Sequence, residues 1–251
     1  MIEFVNVSLA FGKYIVLDSV SFKADFHERI AVLGGSGEGK TTILRLILAL
    51  IRPDEGSILI DGQDITELSE SQLREHRMKF SVVFQEGALF DSMNVKENVA
   101  FCLREYTNLS EERIDERVRE LLKKLKIENA IHLMPEELSG GMQRRVAIAR
   151  SMAECESRMM LYDEATTGLD PLTADNICTL IKDISEGVPP GRVGFIIVTH
   201  KVTDAIKIAE RFLYLRNGKI AFDGDITALY SVEDPEFRNF INELFITEKC
   251  R

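Results

Sequence analysis

The sequence predicts an α/β fold in which helices cover both faces of a mostly parallel sheet. Apolar strands alternate with helical segments along the chain, a pattern typical of parallel strands joined by crossover helices. Two early strands joined by a short turn predict an N-terminal antiparallel β-subdomain, and a helix-rich stretch at 86–142 predicts an inserted helical subdomain. We therefore expect one domain over 1–251, with its α/β core at 1–85 and 143–224 and a C-terminal helical extension at 225–251.

Each element follows from a local pattern. Apolar runs bounded by turn residues predict strands at Ile2–Val7, Val16–Lys23, Glu28–Leu33, Ser57–Ile60, Phe80–Phe84, Met159–Tyr162, Val193–Thr199, Phe212–Leu215 and Ile220–Phe222. Helical spacing and capping residues predict helices at Thr42–Leu50, from Ser110, at Gln143–Met152, Asp170–Gly187 and Val202–Ala209, and from Asp234. A polar connection is expected at Gln63–Arg77, and a chain break at Pro189-Pro190-Gly191.

The composition limits the classes of partner. The net charge of −10 leaves no basic surface of the kind that nucleic-acid binding needs, so no nucleic-acid partner is expected. No apolar run approaches the ~18 residues that span a bilayer, and the start shows no signal-peptide pattern. Reduced thiols in a cytosolic protein are expected, because no metal-binding spacing joins Cys102, Cys155, Cys178 and Cys250.

A glycine-rich loop carries the clearest chemistry. Glycines allow backbone N–H groups to surround phosphate oxygens, and the dipole of the helix that follows favours the same anion. Lys40 would reach the β- and γ-phosphates of ATP, and the Thr41 hydroxyl would bind Mg²⁺. The flanking strand and helix disfavour a chance glycine-rich turn. The loop fits the pattern G-x-x-x-x-G-K-[ST] with Gly34, Gly35, Ser36, Gly37, Glu38, Gly39, Lys40, Thr41 and Thr42.

A second phosphate-site element is the apolar strand Met159–Tyr162, which ends in two carboxylates. Asp163 would hold Mg²⁺ directly or through water. Glu164 lies beside another carboxylate in an apolar setting, so we expect a raised pKa that suits polarisation of the attacking water. Paired acids at a strand end are often only solvated loop residues, but the apolar run and the glycine loop favour the catalytic interpretation.

The segment Leu138–Arg145, with the sequence LSGGMQRR, lies between the helix-rich stretch and the paired carboxylates. At a helix start, Ser139, Gly140 and Gly141 would form a second anion-binding cradle. Taken alone, a glycine-rich N-cap before a surface helix would explain the segment. Its residues and its position resemble the signature motif of ABC ATPases, a class of P-loop NTPases, and the chain is identified as a member of that family.

The resemblance implies roles for further residues. Gln85 matches the glutamine that contacts Mg²⁺ and the water, and His200 matches the switch histidine that touches the γ-phosphate. Phe11 matches the aromatic residue that stacks on adenine, with Tyr14 as the second candidate and half-buried packing as the alternative for both. The segment Thr167–Asp170 matches the D-loop.

The family also implies that two chains enclose two ATP molecules, each site pairing one chain's glycine loop with the other chain's signature motif. Two residues depart from the family pattern. Ala165 stands where proline usually follows the glutamate, and Lys201 stands where an acid commonly follows the switch histidine. Neither departure removes a catalytic group, so we expect retained activity with a change in loop rigidity or coupling.

The segments Phe84–Ala100 and Leu133–Met142 resemble the ATPase subunits of Mla-type, MCE-associated phospholipid transporters. This resemblance implies a peripheral position on the cytoplasmic face of the inner membrane. The implied partners are a second copy of the chain, integral permease subunits and an MCE-type lipid-binding subunit. An ATPase of an amino-acid-type importer and a force-transmitting regulatory ABC complex that moves no substrate are the alternatives.

Two apolar surfaces leave alternatives open. In the family, the region after Gln85 faces the permease, so its apolar residues contact either that partner or the helical subdomain: Ala88, Leu89, Phe90 and Met93. Near the C-terminus, a helical stripe packs either on its own domain or on a second subunit: Phe237, Phe240, Ile241 and Leu244.

Overall fold

The computed structural model describes residues 1–153, 157–187 and 193–248, with side chains as far as Ile241. In chain order the strands are β1 (Ile2–Phe11), β2 (Tyr14–Ala24), β3 (Arg29–Leu33), β4 (Glu55–Ile60), β5 (Gln63–Asp64), β6 (Phe80–Val83), β7 (Met159–Asp163), β8 (Gly194–Thr199), β9 (Arg211–Arg216) and β10 (Lys219–Asp225). The helices are α1 (Lys40–Ile47), α2 (Glu70–Arg77), α3 (Val95–Tyr106), α4 (Glu111–Lys124), α5 (Gly140–Met152), α6 (Pro171–Glu186), α7 (Val202–Ile208), α8 (Ile226–Tyr230) and α9 (Pro235–Glu248).

Two sheets form the framework of the described residues. Strands β2-β1-β4-β5 form an antiparallel sheet, and β10-β9-β3-β8-β7-β6 form a sheet that is parallel except between β9 and β10. Strands β3, β7 and β8 are buried along their whole length, as expected for parallel strands covered on both faces. The predicted fold class is confirmed, including the antiparallel N-terminal sheet and the helices after β6.

The alternating side chains of the parallel strands supply two apolar cores. On β3, Ile30 and Val32 face the core that lies between the two sheets, around α1, while Ala31 and Leu33 face the core formed with the helices that follow β6. The period of two along a strand therefore explains how one buried strand joins both layers. Helix α5 crosses the predicted boundary at 142/143, and the division of the chain into subdomains stays a prediction.

Polar caps set the helix starts that the sequence predicts. The Ser110 hydroxyl accepts a hydrogen bond from the Arg113 N–H at the start of α4. The Asp170 carboxylate accepts from two N–H groups in the first turn of α6, and Asp234 accepts from the Phe237 N–H in α9. Each cap satisfies backbone donors that have no partner within the helix.

Helix α2 lies where no helix was predicted, whereas α8 lies within the predicted C-terminal helical extension at 225–251. The predicted polar segment Gln63–Arg77 contains α2, which begins at a reciprocal capping box formed by Ser69 and Gln72. Only Leu73 and His76 of this helix are buried, so the segment shows no apolar periodicity. The predicted break at Pro189-Pro190-Gly191 and the residues Cys155 and Cys250 lie outside the described residues.

The C-terminal stripe packs on its own domain. The rings of Phe237 and Tyr214 stack with centroids 4.1 Å apart and an interplanar angle of 9°, and Ile241 is fully buried. Phe240 lies over the same tyrosine ring at 5.0 Å. Of the two alternatives for this stripe, packing within the domain is the one observed, with the side chain of Leu244 outside the described residues. In the described part of the chain, no helix is long and apolar enough to cross a membrane.

Candidate active site

The strand register gathers the predicted site residues at one edge of the parallel sheet. Strands β3, β8, β7 and β6 are neighbours, and their carboxyl ends meet at the same edge. The segments that leave these ends carry, in that order, the glycine loop, His200, Glu164 and Gln85. Ligand sites in parallel α/β sheets form at this edge, because loops from neighbouring strands converge there.

The glycine loop, residues 34–39, is shaped by close approaches as well as by its conformation. Gly39 has a φ of +94°, and a Cβ there would lie 2.8 Å from Val16 Cγ1 of β2. A Cβ on Gly34 would lie 2.6 Å from the carbonyl oxygen of Leu215 on β9. Larger residues at these positions would push the loop away from both strands. The loop tip at Ser36 and Gly37 is exposed, where a phosphate can reach backbone N–H groups.

Lys40 turns back over this loop. Its Nζ donates hydrogen bonds to the carbonyl oxygens of Gly34 at 3.1 Å and Gly35 at 2.8 Å, and it lies 3.6 Å from Glu164 Oε1. The side chain is buried, so its positive charge is held at the loop. This placement agrees with the predicted phosphate-binding role.

The side chains of Glu38 and Thr42 are both engaged with other parts of the protein. The carboxylate of Glu38 accepts a hydrogen bond from the Asn217 N–H at 2.6 Å, which joins the loop to the β9–β10 turn. Thr42 is buried in the first turn of α1. Both residues remain predicted ATP contacts through their backbone N–H groups.

The predicted Mg²⁺ ligands Thr41 and Asp163 are neighbours. Thr41 Oγ1 donates a hydrogen bond to Asp163 Oδ1 at 2.9 Å, and Asp163 is buried. Burial, together with the nearby Glu164 charge, raises the pKa of Asp163 above its ordinary value despite that hydrogen bond. A hydroxyl beside a buried carboxylate fits Mg²⁺, which prefers oxygen ligands and is usually bound through one or two carboxylates of the protein.

Glu164 is held by donors from two segments. Thr167 Oγ1 donates to Glu164 Oε2 at 2.7 Å, and His200 Nδ1 lies 2.9 Å from the same oxygen. Burial raises the pKa of Glu164, but the hydrogen bonds from Thr167 and His200 and the nearby charges outweigh it, so the pKa lies below its ordinary value. The predicted rise in pKa is therefore wrong for Glu164. The sequence indicated desolvation, but it did not show the donors that packing brings to the carboxylate.

Four further predicted residues are exposed. His200 is exposed on one side while it contacts Glu164. Gln85 is exposed after β6, and its side chain hydrogen-bonds to none of the described residues. Phe11 and Tyr14 flank the β1–β2 turn and are 54% and 64% exposed. Both rings are therefore only partly covered, and each is accessible for stacking on a ligand, so the choice between half-buried packing and stacking stays open.

The signature segment lies apart from the glycine loop in a single chain. Ser139 caps α5 by accepting a hydrogen bond from the Met142 N–H, and Ser139 and Gly140 are exposed. A Cβ on Gly141 would lie 2.5 Å from Thr173 Cγ2 on α6. The described neighbours of these glycines belong to the D-loop and α6, and Ser139 and Gly140 face solvent.

Several contacts of the turn after Glu164 were not predicted. Thr167 was placed in the D-loop, but its hydrogen bond to the Glu164 carboxylate depends on the tight turn that follows β7. Lys201 Nζ donates to the Thr166 carbonyl at 3.1 Å. Arg144 Nη2 lies 3.5 Å from the Thr167 carbonyl. The signal available in the sequence for Arg144 was a basic residue whose helix positions one turn further on are apolar. Ala165, the departure from the family's proline, is buried in the core formed with the helices that follow β6.

The glycine loop and its lysine lie beside the Thr41–Asp163 pair and the Glu164–His200 pair, and the serine and first glycine of the signature segment are exposed. This arrangement is that of an ATP-binding cassette. A family model described as "ABC transporter" matches residues 17–167. The chain belongs to the ABC transporter family.

Its relatives agree with this assignment. The chain is 38% identical over 242 residues to the intermembrane phospholipid transport system ATP-binding protein MlaF of Escherichia coli, covering 96% of this chain and 88% of the relative. It is 36% identical to protein TRIGALACTOSYLDIACYLGLYCEROL 3, chloroplastic, of Arabidopsis thaliana, covering 89% and 68%. Among solved structures, the dimeric, post-hydrolysis ATP-binding cassette MJ0796 bound to ADP and Pi is similar with a TM-score of 0.80 and 31% identity, covering 90% and 99%.

Proposed function

We propose that the chain is the ATP-hydrolysing subunit of a membrane phospholipid transporter and works as an ATP-bound dimer. The observation that carries the ATPase role is the convergence of Lys40, Glu164 and His200 at one sheet edge. The near-full-length similarity to the phospholipid transport ATP-binding protein MlaF supports the substrate class.

ATP binding would exchange the present contacts of Lys40 for phosphate contacts. The Nζ group now donates to two loop carbonyls, and phosphate oxygens would be stronger acceptors for the same charge. Thr41 and Asp163 would hold Mg²⁺, which would neutralise phosphate charge. The backbone of the glycine loop, including Ser36, Glu38 and Thr42, would surround the phosphates, and Phe11 would stack on adenine.

Hydrolysis would depend on an ionised Glu164. Water attacks the γ-phosphorus, the bond to the β–γ bridging oxygen breaks, and ADP leaves with phosphate. Glu164 orients the water and accepts its proton, while His200 holds the carboxylate and reaches toward the γ-phosphate. Gln85, exposed beside β7, would contact Mg²⁺ and the water. The lowered pKa of Glu164 keeps the carboxylate in its ionised form at neutral pH.

The exposed start of α5 supports a dimer. Ser139, Gly140 and Gly141 would bind the γ-phosphate held by a second copy of the chain, since free N–H groups at a helix start bind anions. ATP then joins two chains, and hydrolysis releases them, which makes the dimer a ligand-biased two-state device. The similar cassette MJ0796 has a dimeric structure, which supports the same arrangement here.

The membrane partner would bind where the segments on either side of Gln85 expose aromatic rings. Phe84 and Phe90 are 41% and 39% exposed. A nearby cleft is lined by residues of α3 and the preceding turn, including Met93, Phe101 and Arg104. An integral permease would dock on this mixed apolar and charged surface, placing the chain on the cytoplasmic face of the inner membrane. An MCE-type lipid-binding subunit would complete the assembly.

The catalytic assignment is tested with two variants. Glu164→Gln should bind ATP but lose turnover, and ATP should trap it as a dimer, because the amide cannot accept the proton of water. Lys40→Ala should lose ATP binding as well. Nucleotide binding, phosphate release and the mass of the ATP-bound species check this. Rapid hydrolysis by Glu164→Gln would show that another group is the base.

The transport assignment is tested by purification of the tagged chain from its native membrane. The expected result is an integral permease that co-purifies and stimulates ATP hydrolysis, with phospholipid carried by the complex. Bound amino acid, or a membrane partner without a translocation path, would instead support the importer or the regulatory complex. No membrane partner at all would contradict the transporter role.

A further inference from the structure

Arg144 is a buried cation with incomplete hydrogen bonding. It lies near the start of α5, is 8% exposed, and its Nε has no hydrogen-bond partner. The carbonyl oxygen of Thr167, 3.5 Å from Nη2, is its hydrogen-bond acceptor among the described residues. Buried guanidinium groups are normally paired by carboxylates or several acceptors, because an uncompensated buried charge is costly. The guanidinium of Arg144 therefore has one distant acceptor and one unsatisfied N–H among the described residues.

The side chain of Arg144 lies between the segment after Gln85 and the turn after Glu164. A Cβ on Gly87 would lie 3.8 Å from Arg144 Nη1, and the exposed Glu86 is the residue that precedes Gly87. On its other side is Thr167, whose hydroxyl donates to Glu164 at 2.7 Å. A single side chain thus separates Gly87 from the residue that binds the catalytic carboxylate.

The segment 86–90 is fastened to the same helix by Arg150. The guanidinium of Arg150 donates to the carbonyl oxygens of Gly87 at 2.9 Å and Ala88 at 2.8 Å, and it lies 5.5 Å from the centre of the Phe90 ring. A Cβ on Gly87 would also lie 3.4 Å from Ala147 Cβ on α5. A shift at Phe90 is therefore transmitted to the surroundings of Arg144.

The opposite side of the turn is held more firmly. Lys201 donates to the Thr166 carbonyl at 3.1 Å, and the Thr166 hydroxyl donates to the buried Asp204 at 2.7 Å. Glu164 itself has a φ of +49°, a conformation that a non-glycine residue keeps when its surroundings fix it. Two cations thus bind consecutive carbonyls of this turn, firmly from the Lys201 side and loosely from the α5 side.

We propose that Arg144 is a positioning residue that sets Glu164 through Thr167, and that its guanidinium can exchange the Thr167 carbonyl for the carboxylate of Glu86, the neighbour of Gly87. A close bond to Thr167 fixes the turn for hydrolysis, and Glu86 competes for the same cation. Movement of the segment 86–90 changes the balance. The inference rests on the proposed function in one respect, which is that a membrane partner supplies this movement.

The positioning role is tested by the kinetics of the isolated chain, at a protein concentration high enough that the rate per chain no longer rises. Arg144→Gln should lower kcat by roughly 10- to 100-fold with little change in KM for ATP, as expected when a reacting group is misplaced. Arg144→Lys should restore part of kcat. Glu86→Gln should raise kcat only where Arg144 is present, because it removes the competitor. Equal effects of Glu86→Gln with and without Arg144 would overturn the inference.

A matched control separates positioning from packing. Arg145, the next residue on α5, donates to the Leu125 carbonyl at 2.8 Å, so Arg145→Gln should reduce stability but retain kcat. In a Glu164→Gln background, Arg144→Gln should still form the ATP-trapped dimer. If Arg144→Gln merely matches Arg145→Gln in kcat, or abolishes the trapped dimer, Arg144 is a packing or interface residue and the inference is wrong.

The complex purified from the native membrane tests the link to the partner. Arg144→Gln should co-purify with the permease as the unmodified chain does but lose the stimulation of hydrolysis. Unchanged stimulation would overturn the inference while the transporter role stands. If the unmodified chain brings down no membrane protein, the transporter role fails, and the kinetics of the isolated chain still decide the positioning role of Arg144.

Discussion

At the scale of single residues, the ionisation of Glu164 depends on which donors reach it. The carboxylate is buried, which alone would raise its pKa, yet Thr167 and His200 stabilise the charged form more strongly. The neighbouring Asp163 receives one hydroxyl and has a raised pKa. The pKa values of the adjacent acids therefore shift in opposite directions because their partners differ.

Thr167→Val should show the contribution of one donor to Glu164. The valine keeps the shape of the side chain but removes the hydrogen bond, which for a charged acceptor is worth about 1.5–3 kcal/mol, so kcat should fall roughly 10- to 100-fold. The pKa of Glu164 should rise, and the acidic limb of the kcat profile should move to higher pH. The control is Thr179→Val, since that hydroxyl donates to a backbone carbonyl on α6. An unshifted profile would contradict this.

The sequence predicts the members of this site better than their contacts. Gln85, Glu164 and His200 each follow an apolar strand, and the common edge of parallel strands brings such residues together whatever their distance along the chain. The direction of a pKa shift depends instead on individual donors. The contacts of Thr167 and Arg144 depend on packing that no local pattern encodes, so the hydrogen bond from Thr167 to Glu164 and the position of Arg144 were found only in the structure.

At the scale of elements, the starts of α5 and α6 pack at a distance that glycine permits. A Cβ on Gly141 would overlap Thr173 Cγ2, whereas one on Gly140 would meet Leu169 Cδ2 at 3.4 Å. Gly141 therefore has a packing role in addition to its predicted phosphate contact. The same contact fixes the D-loop against the signature helix, so the two elements should move together.

Gly141→Ala should cost about 1–3 kcal/mol of stability, the usual penalty of overpacking. Gly140→Ala is the matched control and should cost less, because its Cβ has room. Adding Thr173→Ser to Gly141→Ala removes the overlapping methyl group and should restore stability without restoring ATP hydrolysis. Denaturant unfolding and phosphate release measure the two effects. Full recovery of hydrolysis in the double variant would show that Gly141 serves packing alone.

Helix prediction succeeded where a cap and an apolar face coincide. The starts of α4, α6 and α9 carry both signals, and each begins as expected. Helix α2 has a capping box at Ser69, but its eight residues bury only Leu73 and His76. A helix this short and polar is stabilised by tertiary contacts, such as Arg77 with the carbonyls that end α1, which a local pattern does not reveal.

At the scale of the molecule, Asp61 joins the two sheets. It lies in the β4–β5 turn and accepts hydrogen bonds from Lys79 before β6 and Arg158 before β7. Burial raises its pKa, but the bonds from the Met1 amino group and Lys79 lower it well below the ordinary value of 3.8. The carboxylate is therefore more stable ionised in the folded protein than in the unfolded chain.

This shift predicts an acid-dependent loss of stability. Because the folded pKa is lower than the unfolded one, the contribution of Asp61 is complete above about pH 4 and is lost as the pH falls through the folded pKa. Solvent screens a carboxylate that is a third exposed, so the contribution should be about 1 kcal/mol or less. Asp61→Asn should flatten this part of the unfolding profile. If the free energies of unfolding of the parent chain and of Asp61→Asn differ by the same amount at every pH below 4, the assignment is contradicted.

The order of strands in the parallel sheet has a consequence for how the chain is made. Strand β3, which leads into the glycine loop, pairs with β8 and β9, whose residues begin at 194 and 211. A growing chain therefore carries this apolar strand without a sheet neighbour until most of the polypeptide has left the ribosome. Such late pairing slows folding and exposes apolar surface. Chaperones would therefore meet the unpaired β3 on the emerging chain. Nucleotide binding would stabilise the fold only after synthesis is nearly finished.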